Sequence, residues 1–169
     1  MHLPRLPCRA ARRQRHLTSF AGAFLFACVA ALIFSRELKA DPQVTDGDMA
    51  AQLLGKHALT LQWLGTATLK DAGHAEVRKS TDGTWHLSGR QDTKEGHVSL
   101  DGVVTAIDAH TFAFTGEIIT NVSFINAGKD CRRSGNFTFA KTGKRRYWRL
   151  QQMDNPCDQA TDYVDIYLR

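Results

Sequence analysis

Alternation of apolar and polar residues is the dominant pattern from residue 57 to the end of the chain. In "FAFTGEIITNV" (112–122), Phe112, Phe114, Ile118 and Val122 share one face of an extended strand. Gly, Asp and Asn residues separate such stretches, and no connection is long enough for a crossover helix. The pattern predicts strands at 57–70, 75–80, 84–91, 96–107, 111–125, 131–141, 144–153 and 162–169.

Consecutive strands are expected to pair with each other as antiparallel hairpins. A register that slips by one residue would move the apolar positions to the opposite face, so each hairpin can be tested against the sequence. The registers that keep one apolar face throughout pair Gln91 with Gly96, Ala106 with Phe112, Gly102 with Gly116, Phe124 with Cys131, and Phe137 with Trp148. This consistency predicts an up-and-down topology.

Glycines within the apolar face indicate that the sheet is curled. Gly102 and Gly116 fall side by side, with Trp85 and Phe139 on the neighbouring strands, and Gly65 is assigned the same role in the first strand. Such glycines permit sharp bends, and an aromatic ring can cover the bare backbone. The predicted fold is therefore all-β, an eight-stranded antiparallel up-and-down barrel, and a β-sandwich is the alternative.

The first forty residues carry the layout of a secretory signal peptide. A stretch with five arginines precedes the apolar run "FAGAFLFACVAALIF" (20–34), and a cleavage site follows Ala40. The run is shorter than the roughly 20 residues that a membrane-spanning helix needs, so no membrane span is expected after cleavage. We expect a periplasmic or secreted protein with a polar lead-in at 41–56, a short helix from Asp48 to Leu54, and a single barrel domain at 57–169.

Removing this leader changes the charge balance. It holds 7 of the 22 Lys and Arg residues and 1 of the 17 Asp and Glu residues, which leaves 15 basic and 16 acidic residues. The sequence pI of about 9.2 therefore reflects the leader. It gives no reason to expect a nucleic-acid partner.

Cysteine usage agrees with export. After cleavage only Cys131 and Cys157 remain, and two cysteines in an oxidising compartment most simply form one disulfide. Reactive thiols or metal ligands are the alternative, although no C-x-x-C spacing supports it. Closing this loop should contribute roughly 3–4 kcal/mol in the chain-entropy model.

The architecture resembles the calycins, the group that includes lipocalins and avidins. A leader, about 130 further residues, meandering strands and a final strand at the C-terminus carry the resemblance, which covers residues 57–169. No lipocalin G-x-W follows a suitable first strand, and "TDGTW" (81–85) resembles that motif only loosely. The resemblance implies a small secreted barrel, and no ligand is carried over with it.

Aromatic residues on the apolar face would line the interior of such a barrel, which is either filled or open enough for one small ligand. The candidate lining residues are Trp63, Trp85, Phe114, Phe139 and Trp148. Arg146 would point inward at one end, where it either reaches the rim or receives a ligand carboxylate or phosphate. The predicted function is binding of a small apolar or amphiphilic ligand.

Basic and aromatic residues on the opposite face suggest an alternative function. Arg145, Tyr147 and Arg149 point outward beside Tyr163, Asp165 and Tyr167, and Lys129, Arg132 and Arg133 could extend an anion-binding surface. Cross-strand ion pairs and Tyr–Arg stacking on a solvated face explain this set without a partner. If this face does bind a partner, the protein would be a structural or interaction module of the cell envelope. The face would then contact another envelope protein or an anionic glycan.

An enzyme is not expected. His86 faces Asp101 in the predicted register, but no nucleophile joins them, and paired acids of the glycosidase kind are absent from the sequence pattern. We therefore predict no catalytic residues, no metal site and no cofactor.

Overall fold

A computed structural model describes residues 41–65 and 69–168; the predicted signal peptide lies outside the described residues. One helix and nine strands are defined in this part of the chain. They are β1 (Gln43–Val44), α1 (Gly47–Leu53), β2 (Gly55–Leu61), β3 (Gly73–Lys79), β4 (Trp85–Thr93), β5 (Gly96–Ile107), β6 (Thr111–Val122), β7 (Cys131–Ala140), β8 (Tyr147–Leu150) and β9 (Val164–Tyr167).

Strands β2 to β9 form a closed antiparallel barrel. Each pairs with the next along the chain, and β9 returns to pair with β2 through Leu59 and Ile166. The predicted eight-stranded up-and-down barrel is therefore confirmed over the sandwich. Strand β1 lies outside this ring and pairs in parallel with the last two residues of β5.

Helix α1 crosses the end of the barrel at which β2 begins. It runs from β1, beside the end of β5, to the start of β2, three strands away in the sheet order. Asp46 caps its first turn by accepting a hydrogen bond from the Met49 backbone N–H at 2.7 Å. Its side chains Met49, Ala50 and Leu53 join the barrel core. We call the end of the barrel that α1 crosses the helix end. No helix among the described residues is long and apolar enough to cross a membrane.

The registers of two predicted hairpins, β4–β5 and β5–β6, need small corrections. Gln91 pairs with Val98 instead of Gly96, because β4 continues to Thr93 and the turn contains only Lys94 and Glu95. His86 consequently lies opposite Val103, so the predicted His86–Asp101 pairing is wrong. Gly102 does pair with Gly116, but a bulge at Thr105 places Ile107 opposite Phe112.

The β6–β7 and β7–β8 hairpins differ more. Cys131 pairs with Thr120, four residues from the predicted Phe124, because residues 123–130 form a longer loop. Phe139 pairs with Leu150, whereas the predicted Phe137–Trp148 register would place Arg146 there. Both shifts are even numbers of residues, so the side chains within these strands kept their predicted faces while their partners changed.

The glycine row at the centre of the barrel is longer than expected. Gly102, Gly116 and Gly135 lie side by side on three strands. A Cβ added at Gly116 would lie 2.6 Å from the Phe114 Cζ atom, and one added at Gly102 would lie 2.8 Å from Phe114 Cε2. An aromatic ring does cover the bare backbone, but the ring is that of Phe114.

The first predicted strand, 57–70, stops early. Strand β2 ends at Leu61, and a short helical turn, Gln62–Leu64, follows it. Gly65 ends this turn with φ +58°, a left-handed conformation that favours glycine. The predicted role of Gly65 as a bend within a strand is therefore wrong.

Candidate functional site

Four of the six predicted lining residues form a packed core. Trp85, Phe114, Phe139 and Trp148 are all buried. The Phe114 and Phe139 ring centroids lie 6.4 Å apart, and Phe112 stacks on Phe139 at 4.9 Å and meets Trp148 edge-on at 5.7 Å. These rings occupy the space that a ligand between them would need.

The other two predicted residues lie at opposite ends of the barrel. Arg146 is exposed in the connection between β7 and β8 at the helix end, where its carbonyl accepts a hydrogen bond from the Leu168 backbone N–H. It thus takes the rim position and does not join the buried rings. Trp63 is half-buried in the turn after β2, at the end of the barrel opposite α1.

This opposite end, which we call the loop end, carries an open groove. Three connections that meet there supply its walls: the turn after β2, the loop 123–130 and the loop 151–163. The groove has a volume of about 360 Å³ and is lined by Trp63, Phe124, Ile125, Asp158, Ala160 and Thr161.

Two aromatic rings form a corner of the groove. The Trp63 and Phe124 ring centroids are 6.4 Å apart, with the ring planes at 85°. Phe124, which the strand pattern had assigned to the interior, is 64% exposed. Gln62 fixes the position of Trp63, because its side chain donates to the Thr161 carbonyl and accepts from the Tyr163 backbone N–H.

A disulfide tethers the loop 151–163. Cys131 and Cys157 are bonded, as predicted, with their Cα atoms 5.8 Å apart. Cys131 is buried at the start of β7, whereas Cys157 is exposed. Asn155 shapes the same loop, since its side-chain oxygen accepts a hydrogen bond from the Cys157 backbone N–H at 2.9 Å.

A buried polar cluster lies inside the loop end. Arg133 Nη2 donates to Asp162 Oδ2 at 3.1 Å, and the same oxygen accepts from Thr120 Oγ1 at 3.2 Å and Asn155 Nδ2 at 3.1 Å. Arg133 Nη1 also donates to the Gln152 carbonyl at 3.0 Å. The cluster therefore joins strands β6 and β7 to the loop 151–163.

Burial dominates the ionisation of this cluster. It raises the pKa of Asp162 above the ordinary range, even though the charge of Arg133 and the hydrogen bonds from Thr120 and Asn155 act in the opposite direction. It also lowers the pKa of Arg133, against the attraction of Asp162. Taking these two charges out of water thus outweighs their mutual attraction. Asp162 Oδ1 and Trp63 Nε1 have no hydrogen-bond partner within normal limits.

The basic, acidic and aromatic side chains of the outer face interact with one another. Arg149 forms two hydrogen bonds of 2.7 Å to the Asp165 carboxylate, which raises the pKa of Arg149. Its guanidinium also lies 4.2 Å from the Tyr163 ring centroid and 5.2 Å from that of Tyr147. The interpretation as cross-strand ion pairing and Tyr–Arg stacking is confirmed.

Arg132 and Arg133 do not share a basic surface, as their sequence positions had suggested. Arg132 is exposed beside Glu117 and Asp130, whereas the Arg133 side chain is 8% exposed. The alternation of β7 predicts this difference, because Arg133 shares the inward face with Cys131 and Phe137. Within the described residues no group of three or more His, Cys, Asp or Glu side chains is arranged to hold a metal.

Comparisons with known proteins identify relatives of the whole barrel. The family model described as the PM1083 family matches residues 41–168. The chain is similar to "Uncharacterized protein PM1083" of Pasteurella multocida (strain Pm70), with 44% identity over 116 residues that cover 69% of this chain and 73% of that protein. No solved structure matches the chain. With most of its length matched in both comparisons, this chain belongs to the PM1083 family.

Proposed function

We propose that this protein is an exported binding protein that holds a small amphiphilic ligand in the groove at the loop end. The observation that carries the proposal is the exposed ring of Phe124, set edge to face with Trp63 in the wall of that groove. Large aromatic side chains left open to water in a concave site mark ligand contacts.

The position and size of the groove support this role. Ligand sites in β-barrels occur at the mouth, and pockets for small molecules span about 300–1,000 Å³. The groove, at about 360 Å³, lies at the lower end of that range. The resemblance to calycin barrels, which is one of architecture, points in the same direction.

The packing of the interior favours the mouth over the centre of the barrel. Phe112, Phe139 and Trp148 are each less than 2% exposed and contact one another. A ligand would have to displace these rings to enter, and each buries apolar area worth roughly 1.5–3 kcal/mol. A ligand at the mouth displaces only water.

Export is supported by two independent features. The leader at 1–40 has the charge and hydropathy layout of a signal peptide. The Cys131–Cys157 disulfide is of a kind that persists in oxidising compartments. The outer basic face gives less support for an envelope partner, because its central residue, Arg149, is already paired with Asp165.

Tryptophan fluorescence tests the binding role. We expect amphiphilic compounds to change the emission of the protein in a saturable manner. Phe124→Ala should weaken binding by about tenfold, which corresponds to about 1.4 kcal/mol of binding free energy. A loss of this size is comparable to the energy of one aromatic contact.

Leu69→Ala provides the matched control. Leu69 is 55% exposed, close to the value for Phe124, but it lies outside the groove. We expect it to bind as the wild type does. An absence of saturable binding in the wild type, or equal losses in both variants, would contradict the proposed site.

A further inference from the structure

We infer that the groove selects amphiphiles with a cationic head group, such as a primary or quaternary ammonium, over neutral and anionic ones. This inference rests on the proposed function and specifies the class of ligand for the same groove. Three features of the loop end carry it: the charge of the lining residues, the aromatic corner, and the pairing of the nearby arginine.

The charge of the groove is negative. Asp158 is the one charged side chain among the described residues that line it. One oxygen of this carboxylate, Oδ2, accepts a hydrogen bond from the Asn126 backbone N–H, which leaves Oδ1 open to a ligand. An exposed carboxylate with a free oxygen attracts a cation at the rim and repels an anion.

The aromatic corner of the groove also favours a cationic ligand. Trp63 and Phe124 both line the groove, with ring centroids 6.4 Å apart and ring planes at 85°. A cation within about 6 Å of a ring centroid is attracted by the negative face of the ring, and tryptophan binds best. Ile125 and Ala160 supply apolar surface for the remainder of the ligand.

The nearest arginine is not free to bind an anion. Arg133 lies inside the loop end, where Asp162 and the Gln152 carbonyl engage its guanidinium. Arg145 and Arg146 are exposed at the helix end. At the loop end, Arg132 is engaged by Glu117 and Asp130, and Lys129 is exposed but does not line the groove. A ligand carboxylate or phosphate would therefore meet no basic group among the lining residues.

A series of three amphiphiles with one tail tests the inference. Decyltrimethylammonium, decanol and decanoate would each be titrated below their aggregation concentrations, with tryptophan fluorescence and calorimetry as readouts. We expect decyltrimethylammonium to bind about tenfold more tightly than decanoate, with decanol between them. The preference should decrease as salt screens the carboxylate.

The variant Asp158→Asn tests the contribution of the carboxylate charge to binding. The amide keeps an oxygen to accept from the Asn126 N–H, so the loop should remain folded, which circular dichroism would verify. We expect about fivefold weaker binding of decyltrimethylammonium and no more than about a twofold change for decanol. Asp154→Asn is the control, since Asp154 is exposed in the same loop but does not line the groove.

The outcomes separate the two proposals. Equal affinities for all three compounds, unchanged in Asp158→Asn, would overturn the cation preference and leave the binding site standing. Equal effects of Asp158→Asn and Asp154→Asn would also overturn it, by showing a general effect of surface charge. Failure of all three compounds to bind would overturn both the inference and the proposed function.

Discussion

The two ends of the barrel are closed by different physical means. At the helix end, α1 places Met49, Ala50 and Leu53 on the core. At the loop end, a disulfide and the buried Arg133–Asp162 pair hold the chain in place, and an aromatic groove stays open. The comparison teaches that one end is sealed mainly by a helix packed on the core, whereas the end with the proposed site is held by a disulfide and a buried ion pair.

The helix end also contains a buried histidine. His57, buried beneath α1, has one ring nitrogen 2.8 Å from the Leu53 carbonyl and the other 3.1 Å from the Tyr167 carbonyl. Its ring also meets Trp148 edge-on at 5.7 Å. This histidine thus ties the end of the helix to β9 and to the core.

Buried side-chain atoms without a hydrogen-bond partner occur at both ends. They are Trp63 Nε1, Gln91 Nε2, Arg133 Nε and Asp162 Oδ1 towards the loop end, and Thr84 Oγ1, Trp85 Nε1 and Trp148 Nε1 towards the helix end. Buried polar groups of this kind lower stability. Loops held on a rigid scaffold commonly carry binding residues. The two ends should respond differently to substitution, reduction and pH.

The largest effect is expected from Arg133→Ala. Removing the guanidinium leaves the Asp162 carboxylate buried without its ionic partner, which costs about 3–5 kcal/mol. Arg132→Ala, the adjacent residue on the exposed face, should cost no more than about 1 kcal/mol. Urea unfolding of both variants measures the difference, and similar losses would show that the buried pair does not hold the loop end.

Reduction of the Cys131–Cys157 bond should have a slightly smaller effect. The bond joins residues 26 apart, so its loss should lower the free energy of unfolding by about 3–4 kcal/mol. Amide hydrogen exchange should accelerate more in residues 151–163 than in α1. Equal acceleration at both ends would contradict their independence.

Leu53→Ala probes the apolar closure of the helix end. Leu53 is fully buried, so truncation should cost about 3 kcal/mol through lost burial and the cavity that remains. Leu54→Ala, at the next position, removes a side chain that is 38% exposed and should cost less than about 1 kcal/mol. Thermal unfolding provides the comparison, and ligand affinity at the loop end should not change in either variant.

Asp162 should make stability depend on pH at the loop end. Burial raises the pKa of Asp162, so folding favours its protonated form. The stabilisation is present below the ordinary Asp pKa of about 3.9 and is lost as the pH rises through the raised pKa of the folded state. The stability of the wild type relative to Asp162→Asn should therefore fall with increasing pH; a constant or rising difference would contradict this.

The sequence predicted the faces of the strands better than their partners. Apart from the bulge at Thr105, every register error was an even number of residues. Phe114, Phe139 and Trp148 were therefore assigned correctly to the core although three of the hairpins were misaligned. Alternation specifies the face because a buried side chain must avoid water. It does not specify the lengths of the loops.

The candidate site was largely hidden from the sequence for the same reason. Phe124 continues the alternation of β6, and only the position of the loop 123–130 shows that it lies outside the barrel. Asp158 and Asp162 belong to a loop without periodicity, so nothing local indicated that one lines a groove and the other pairs with Arg133. Trp63 was among the predicted lining residues on the assumption that it belonged to a strand, whereas it lies in the turn after β2.

The three tryptophans offer the most direct test of the central claim that the ligand binds at the loop end of a filled barrel. Trp63 lines the groove, whereas Trp85 and Trp148 lie in the core. In ¹⁵N-labelled protein each indole N–H gives its own NMR signal, and titration with decyltrimethylammonium should shift that of Trp63 while the other two stay within the line width. Shifts of Trp85 or Trp148 with an unchanged Trp63 would place the ligand in the barrel interior and contradict the account.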